Sequence, residues 1–197
     1  MDSINISLFN WLHAGAGNQP VLDFISVIGA ELSPYLVLGC MAIFWFTTER
    51  SGKRILLEGA AVVALGLGLN QLITLFYFHP RPFMMDLCKP LIPHVPETSF
   101  PSDHATLLFS AAFALLFREG WHTKGALLLF IAVVGAWGRI YTGLHFPFDI
   151  AGSFIVALTS MIALICVRSR FIPIYDWIIH RVNSLETLII RKDMYRG

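Results

Sequence analysis

The chain has 197 residues, of which 56% are hydrophobic and only 14% charged, and its net charge is +1. Soluble chains carry roughly 25% charged residues, so this composition excludes an ordinary soluble globule and fits a single membrane-embedded domain over 1–197. The absence of a basic patch excludes a nucleic-acid partner.

In chain order, residues 3–13 read as a short interfacial helix. The first nineteen residues lack a basic n-region and a long apolar run, so no cleavable signal peptide is expected and the first membrane helix directs insertion. Five apolar segments follow, at about 21–46, 55–78, 105–117, 125–138 and 150–167. The third and fourth cover only roughly 20 Å at about 1.5 Å per residue. Their helices therefore either end below the outer headgroups or extend through the polar residues beside them. The loop from His79 to Pro101 holds six prolines together with Asp86, Lys89 and His94, and reads as a rigid connector or a shaped mouth to a site. Residues 172–190 alternate apolar and charged positions at helical spacing around Trp177. Asp176, His180, Arg181 and Glu186 interrupt them, so the segment (171–191) reads as an amphipathic helix on the membrane surface, with a weak sixth span as the alternative. The fold class is all-α integral membrane: a bundle of five helices, six if the last segment crosses. Cys40, Cys88 and Cys166 are isolated, which argues against a zinc site or a disulfide framework.

Basic residues give the orientation. Arg50, Lys53, Arg54, Arg118, Lys124, Arg168, Arg170, Arg181, Arg191, Lys192 and Arg196 fall at one set of helix ends; Arg81, Lys89 and Arg139 fall at the other. An outside N-terminus follows, and with it an extracytoplasmic position for every polar motif.

Those motifs are His79-Pro80-Arg81-Pro82, Pro101-Ser102-Asp103-His104, and Arg139 with His145 and Asp149. Arginines, histidines, a serine and a carboxylate on one membrane face are what a metal-free phosphoryl-transfer site requires. Asp149 lies four residues beyond His145, within reach of one ring nitrogen; holding that nitrogen leaves the other free to attack phosphorus. Arg139 can neutralise phosphate oxygens bidentately. Ser102 suits a helix N-cap, and a helix N-terminus binds anions. His104, in the first turn, is placed as general acid. Prolines on both sides pre-position Arg81. Singly, each residue has a plain structural reading as a cap, a helix anchor or a snorkelling side chain; as a spaced set on one face they do not. Glu31, inside the first span, is either an accessory site residue or a structural carboxylate at a helix interface.

In this order and on alternating helix ends, Arg-Pro, Pro-Ser-x-His and Arg-x5-His-x3-Asp resemble the type 2 phosphatidic acid phosphatase superfamily. Within it, the stretch from Asn70 to Phe83, Ile92-Pro93-His94, Ser99-Phe100-Pro101-Ser102-Asp103-His104 and His145-Phe146-Pro147-Phe148-Asp149 are similar to the bacitracin-resistance branch of undecaprenyl diphosphate phosphatases. The resemblance covers about 20–168. It implies a multi-pass enzyme of the bacterial plasma membrane that removes the terminal phosphate from a prenyl diphosphate lipid, with no metal and no cofactor. It implies that His145 forms a phosphohistidine, that Asp149 orients it, and that His104 protonates the leaving phosphate and then activates water. Arg81, Arg139 and Ser102 would bind the transferred group. The chain departs from the family pattern at Thr74, where a Lys is usual, at Asp103 in place of Gly, and at Gly138 in place of Ser. Asn70, one turn before Thr74, and Lys89 in the loop are the expected substitutes for the missing Lys, so Asn70, Thr74, Asp103 and Lys89 join the expected phosphate-binding set. The nearest alternative is a phosphatase of the same family acting on phosphatidic acid or phosphatidylglycerophosphate. A small transporter is more remote, because it needs polar residues deep within several spans and only Glu31 and Asn70 lie there.

Overall fold

The computed structural model describes residues 2–194, and side chains over 3–184. Among these residues, the α-helices are α1 (Asp2–His13), α2 (Pro20–Thr47), α3 (Arg50–Thr74), α4 (Asp103–Leu116), α5 (His122–Tyr141), α6 (Pro147–Val167) and α7 (Ile172–Met194), with short 3-10 turns at Pro82–Met85 and Arg168–Arg170. Four helices, α2, α3, α5 and the stretch Pro147–Arg170, are long and apolar enough to cross a membrane. The protein is an all-α, multi-pass membrane protein. Exposed Phe24, Leu36, Phe130, Val133, Ile155 and Ile162 cover its flanks, as lipid contact requires.

The short third segment has a structural reason. α4 has only 14 residues and sits at the centre, packed against α2, α3, α5 and α6. Nearly every residue from Ala105 to Leu115 is buried, and a helix apolar all round belongs inside a bundle. α5 resolves the same question differently: it runs 20 residues and carries Arg139 in its last turn. The second apolar segment, α3, starts earlier than expected, at Arg50, and stops at Thr74, because Tyr77 to Arg81 turn away into the proline-rich loop.

α2 and α5 approach closely. Ser26, Gly29, Ala30 and Ser33 on α2 are buried against α5. A Cβ on Gly138 would stand 2.7 Å from the Ser26 carbonyl oxygen and 2.8 Å from the Ala30 nitrogen. Small residues let the two backbones meet. The departure from Ser to Gly at 138 therefore belongs to this crossing.

The antiparallel order brings the C-terminal ends of α3 and α5 and the N-terminal ends of α4 and α6 together at one end of the bundle. The other end gathers the basic residues. Arg118 pairs with Glu58 at 2.6 Å, Lys124 lies over the Trp121 ring at 3.9 Å, and Arg54 makes two 2.5 Å hydrogen bonds to Asp176 of α7. α7 buries Tyr175 and Ile179, leaves Ile174 and Trp177 exposed, and is not among the helices that, within the described residues, are long and apolar enough to cross. The side chains of Glu186, Arg191, Lys192 and Arg196, counted in the sequence, lie outside the described residues. α1 packs at the opposite end, where Phe9 meets Phe146 edge-on at 5.3 Å and Asn5 Oδ1 accepts from the Phe148 N–H.

Candidate active site

The third motif is a helix stop joined to a helix start. At the end of α5 the Leu144 N–H returns to the Arg139 carbonyl at 3.1 Å and the Gly143 N–H to Ile140 at 3.0 Å, the paired bonds of a Schellman cap. Gly143 has φ +82°, which only glycine adopts without strain, and a Cβ there would also meet Cys88 Sγ at 2.8 Å. Pro147 then opens α6, and the Asp149 carboxylate accepts the Phe146 N–H at 2.7 Å. This compact unit sets the spacing of Arg139, His145 and Asp149. His145 is pinned between two helix ends, a position it could not hold on a free loop.

His145 is 2% exposed. Its Nδ1–H donates to the Ser99 carbonyl oxygen at 2.9 Å, so Nε2 carries the lone pair. That Nε2 faces Arg81 Nη1 at 3.1 Å and Arg139 Nη2 at 3.5 Å. Burial pushes His145 down to about 3; Asp149 opposes the shift, and Arg139 and Arg81 reinforce it. Burial thus favours the neutral ring, whose Nε2 lone pair faces both guanidiniums.

Asp149 reaches His145 less directly than its spacing suggests. Its Oδ2 stands 3.6 Å from Nδ1, beyond a hydrogen bond, and accepts instead from Ser99 Oγ at 2.5 Å and Phe146 N. Its Oδ1 accepts from His79 Nδ1–H at 3.1 Å. Ser99 thus touches both partners, with its carbonyl on His145 and its hydroxyl on Asp149. Ser99 and His79 are held together by the Ser99 N–H bonded to the His79 carbonyl at 2.7 Å.

Arg81, Thr74, His94, Pro101, Asp103, His104, Arg139 and His145 line one cavity of about 230 Å³, together with Gln71, Glu97 and Thr98. Arg81 bonds the Leu144 carbonyl and Glu97 Oε1, each at 3.0 Å. Burial lowers the Arg81 value and Glu97 counters it, and the guanidinium remains charged. The Nε donors of Arg81 and Arg139 are buried without a hydrogen-bond partner. Buried orphan donors are rare, and two on facing guanidiniums suit an anion with several acceptor oxygens. Glu31 touches this group from α2, 3.9 Å from Arg139 Nη1.

Several residues expected to bind phosphate stand elsewhere than the sequence suggests. Lys89 is exposed and outside the cavity lining, because Leu91 ties its segment to the Thr142 carbonyl. Asn70 is fully buried and does not line the cavity; its amide donates to Asp103 Oδ1 at 2.8 Å and Thr106 Oγ1 at 2.9 Å. Asp103 lines the cavity, but as an acceptor-only carboxylate bonded to Asn70 and Gln71 it cannot donate to phosphate. Its charge is turned back toward α3, where the family Lys would stand. Thr74 lines the cavity with its hydroxyl given to the Gln71 carbonyl at 2.9 Å. Ser102 is buried; its Oγ caps α4 by accepting from Ala105 N at 3.4 Å, and it does not line the cavity. His79, His94 and Ser99 stand within the quoted motif stretches but carry no individual role in the sequence, and Glu97, in the loop between them, is unmarked there.

A model of the PAP2 superfamily matches residues 55–173. The chain belongs to the PAP2 superfamily. It is a membrane-embedded lipid phosphate hydrolase. The chain is 33% identical, over 96% of its length and 97% of the relative's, to the undecaprenyl-diphosphatase BcrC of Bacillus subtilis. It is 27% identical to the putative undecaprenyl-diphosphatase YbjG of Escherichia coli, over 83% of this chain and 82% of that one. Among solved structures, LpxE of Aquifex aeolicus superposes with a TM-score of 0.68 at 26% identity, covering 81% of this chain and 93% of that chain. Against this PAP2 framework, the departures at 74, 103 and 138 leave His145, His104, Arg81 and Arg139 in place around the cavity.

Proposed function

We propose that the protein hydrolyses undecaprenyl diphosphate to undecaprenyl phosphate and phosphate on the extracytoplasmic face of the bacterial plasma membrane. This returns the carrier lipid to cell-wall synthesis and removes the lipid diphosphate that bacitracin targets. The observation that carries the substrate is the near full-length likeness to the undecaprenyl-diphosphatase of Bacillus subtilis, in a chain whose nucleophile faces two guanidiniums. In this reading α4 is a fifth, central crossing, the site faces outward, and α7 lies on the inner surface.

The geometry supports the following chemistry. His145 Nε2 attacks the terminal phosphorus while Arg81 and Arg139 hold its oxygens and offset their charge. The P–N bond forms, the bond to the bridging oxygen breaks, and His104 gives its proton to the leaving lipid phosphate. The phosphohistidine ring carries positive charge, which the Ser99 carbonyl and the nearby Asp149 carboxylate stabilise. His104 then takes a proton from water, whose oxygen attacks phosphorus and restores neutral His145.

Phosphate release by the purified protein, in excess EDTA, from undecaprenyl diphosphate and phosphatidic acid side by side tests the substrate. Preferential release from the diphosphate, lost in His145→Ala, is expected. Faster release from phosphatidic acid would move the protein to phospholipid metabolism.

A further inference from the structure

Removal of the terminal phosphate from a lipid diphosphate and from a lipid monophosphate differs on the leaving side. A monophosphate ester expels an alkoxide. A diphosphate expels a second phosphate, whose negative charge grows as the bridging bond breaks. A site tuned to the diphosphate gains from a proton-donating group there, beyond the two arginines that hold the transferred phosphoryl.

His94 has the placement for it. It lines the same cavity as His104, Arg139 and His145. Its Nδ1–H is committed to the Val95 carbonyl at 3.0 Å, so only Nε2 is free to meet a ligand. That Nε2 points into the charged cluster, 3.5 Å from Arg139 Nη2 and 3.8 Å from Glu97 Oε1. Glu97 is 53% exposed and also holds Arg81 at 3.0 Å. One carboxylate thus bridges His94 and Arg81 as a second phosphate would. Lys89 lies outside the cavity, so besides Arg81, which holds the transferred phosphoryl, His94 is the chargeable donor that the proline-rich loop brings to this lining. Burial lowers its value first, the Val95 bond and Glu97 raise it, and Arg81 and Arg139 lower it. The negative charge of a bound diphosphate favours the protonated ring, in which Nε2–H is a donor.

Building on the reading of the substrate as a lipid diphosphate, we propose that His94 is a specificity-determining residue that hydrogen-bonds the leaving phosphate of a diphosphate ester through Nε2 and that Glu97 holds its place before substrate binds. Solvent water supplies the proton that Nε2 gains as the diphosphate binds; His94 keeps it while His104 protonates the leaving oxygen, and it returns to water when the lipid phosphate departs.

Farnesyl diphosphate and farnesyl phosphate, identical in tail, test this with the full-length protein. The readout is the ratio of kcat/KM for the two substrates. In His94→Ala the ratio should fall about tenfold or more, as expected for losing a charge-assisted hydrogen bond. Most of the loss should lie on the diphosphate, and His94→Lys should restore much of the ratio. Equal losses on both substrates in His94→Ala, or a ratio that His94→Lys leaves as low as His94→Ala does, would overturn the proposal. Because the comparison is a ratio within each variant, it stands apart from wild-type preference for undecaprenyl diphosphate over phosphatidic acid, which tests the substrate reading itself.

Discussion

Around His145, the proposed catalytic geometry depends on a residue that carries no chemistry of its own. Ser99 holds the tautomer through its carbonyl and holds Asp149 through its hydroxyl. In Ser99→Ala the carbonyl contact survives while the bond to the buried carboxylate is lost. Hydrogen bonds to charged groups contribute about 1.5–3 kcal/mol, so kcat should fall about ten- to a hundredfold with KM little changed. Michaelis kinetics check this, and a variant with wild-type kcat would remove Ser99 from the machinery. Glu97 acts in the opposite sense, since its carboxylate competes with phosphate for Arg81. It is half exposed, and such pairs contribute about 1 kcal/mol or less. Glu97→Gln should lower KM by up to about fivefold, and an unchanged or raised KM would contradict that role. His145 also links stability to pH. Its folded value of about 3 lies below the ordinary histidine value near 6.5, so the unfolded chain binds the extra proton first. Its contribution to stability is complete above about pH 6.5 and declines as pH falls from there toward about 3, by about 1.4 kcal/mol per pH unit for one proton. Thermal midpoints in detergent between pH 7 and 5 should fall less steeply in His145→Asn than in the wild type; parallel slopes would contradict the linkage.

The decisive element is the turn from α5 into α6. Its Schellman cap, Gly143 at positive φ and the Pro147 start together place Arg139 and His145 on one cavity. Gly143→Ala combines left-handed strain with a clash against Cys88, a destabilisation of about 1–3 kcal/mol. Unfolding midpoints and activity should fall together, whereas an active, equally stable variant would show that the turn tolerates a side chain. This element was legible in the sequence because its signals are local: an arginine at a helix end, glycine, then proline and aspartate. The proline-rich loop was not. Ser99, His79, His94 and Glu97 lie where no 3.6-residue period marks a buried face, and their roles come from backbone bonds across the loop, such as His79 to Ser99. The direct Asp149–His145 bond and the Lys89 contact went astray for the same reason. Sequence spacing states reach, not which carbonyl or carboxylate arrives first. The shortness of α4 was legible, but not its reason: its 14 residues are too few for a lipid-facing span yet suit a helix surrounded by its neighbours.

For the whole molecule, charge and fold point the same way. The phosphatase cavity lies at the end bearing Arg81 and Arg139, and the paired basic residues Arg54 and Arg118 lie at the other. The apolar segments, their antiparallel order and this asymmetry were readable from composition and hydropathy alone, because each sums over many residues. The proposed outward orientation predicts that, in intact cells, Lys89→Cys reacts with a membrane-impermeant thiol reagent and Arg50→Cys reacts only after permeabilisation. The native Cys88 gives little background, since burial pushes its thiol up to about 11. The reverse pattern would invert the topology and place the site in the cytoplasm.

The most direct test of the central claim is to trap the phosphoenzyme. Terminally labelled prenyl diphosphate, mixed with His104→Gln in excess EDTA and quenched in base, should leave label on the protein that is stable to base, labile to acid and absent when His145 is also replaced. Label that persists without His145, or no label in any variant while wild type turns over, would contradict a covalent histidine mechanism and the site built around it.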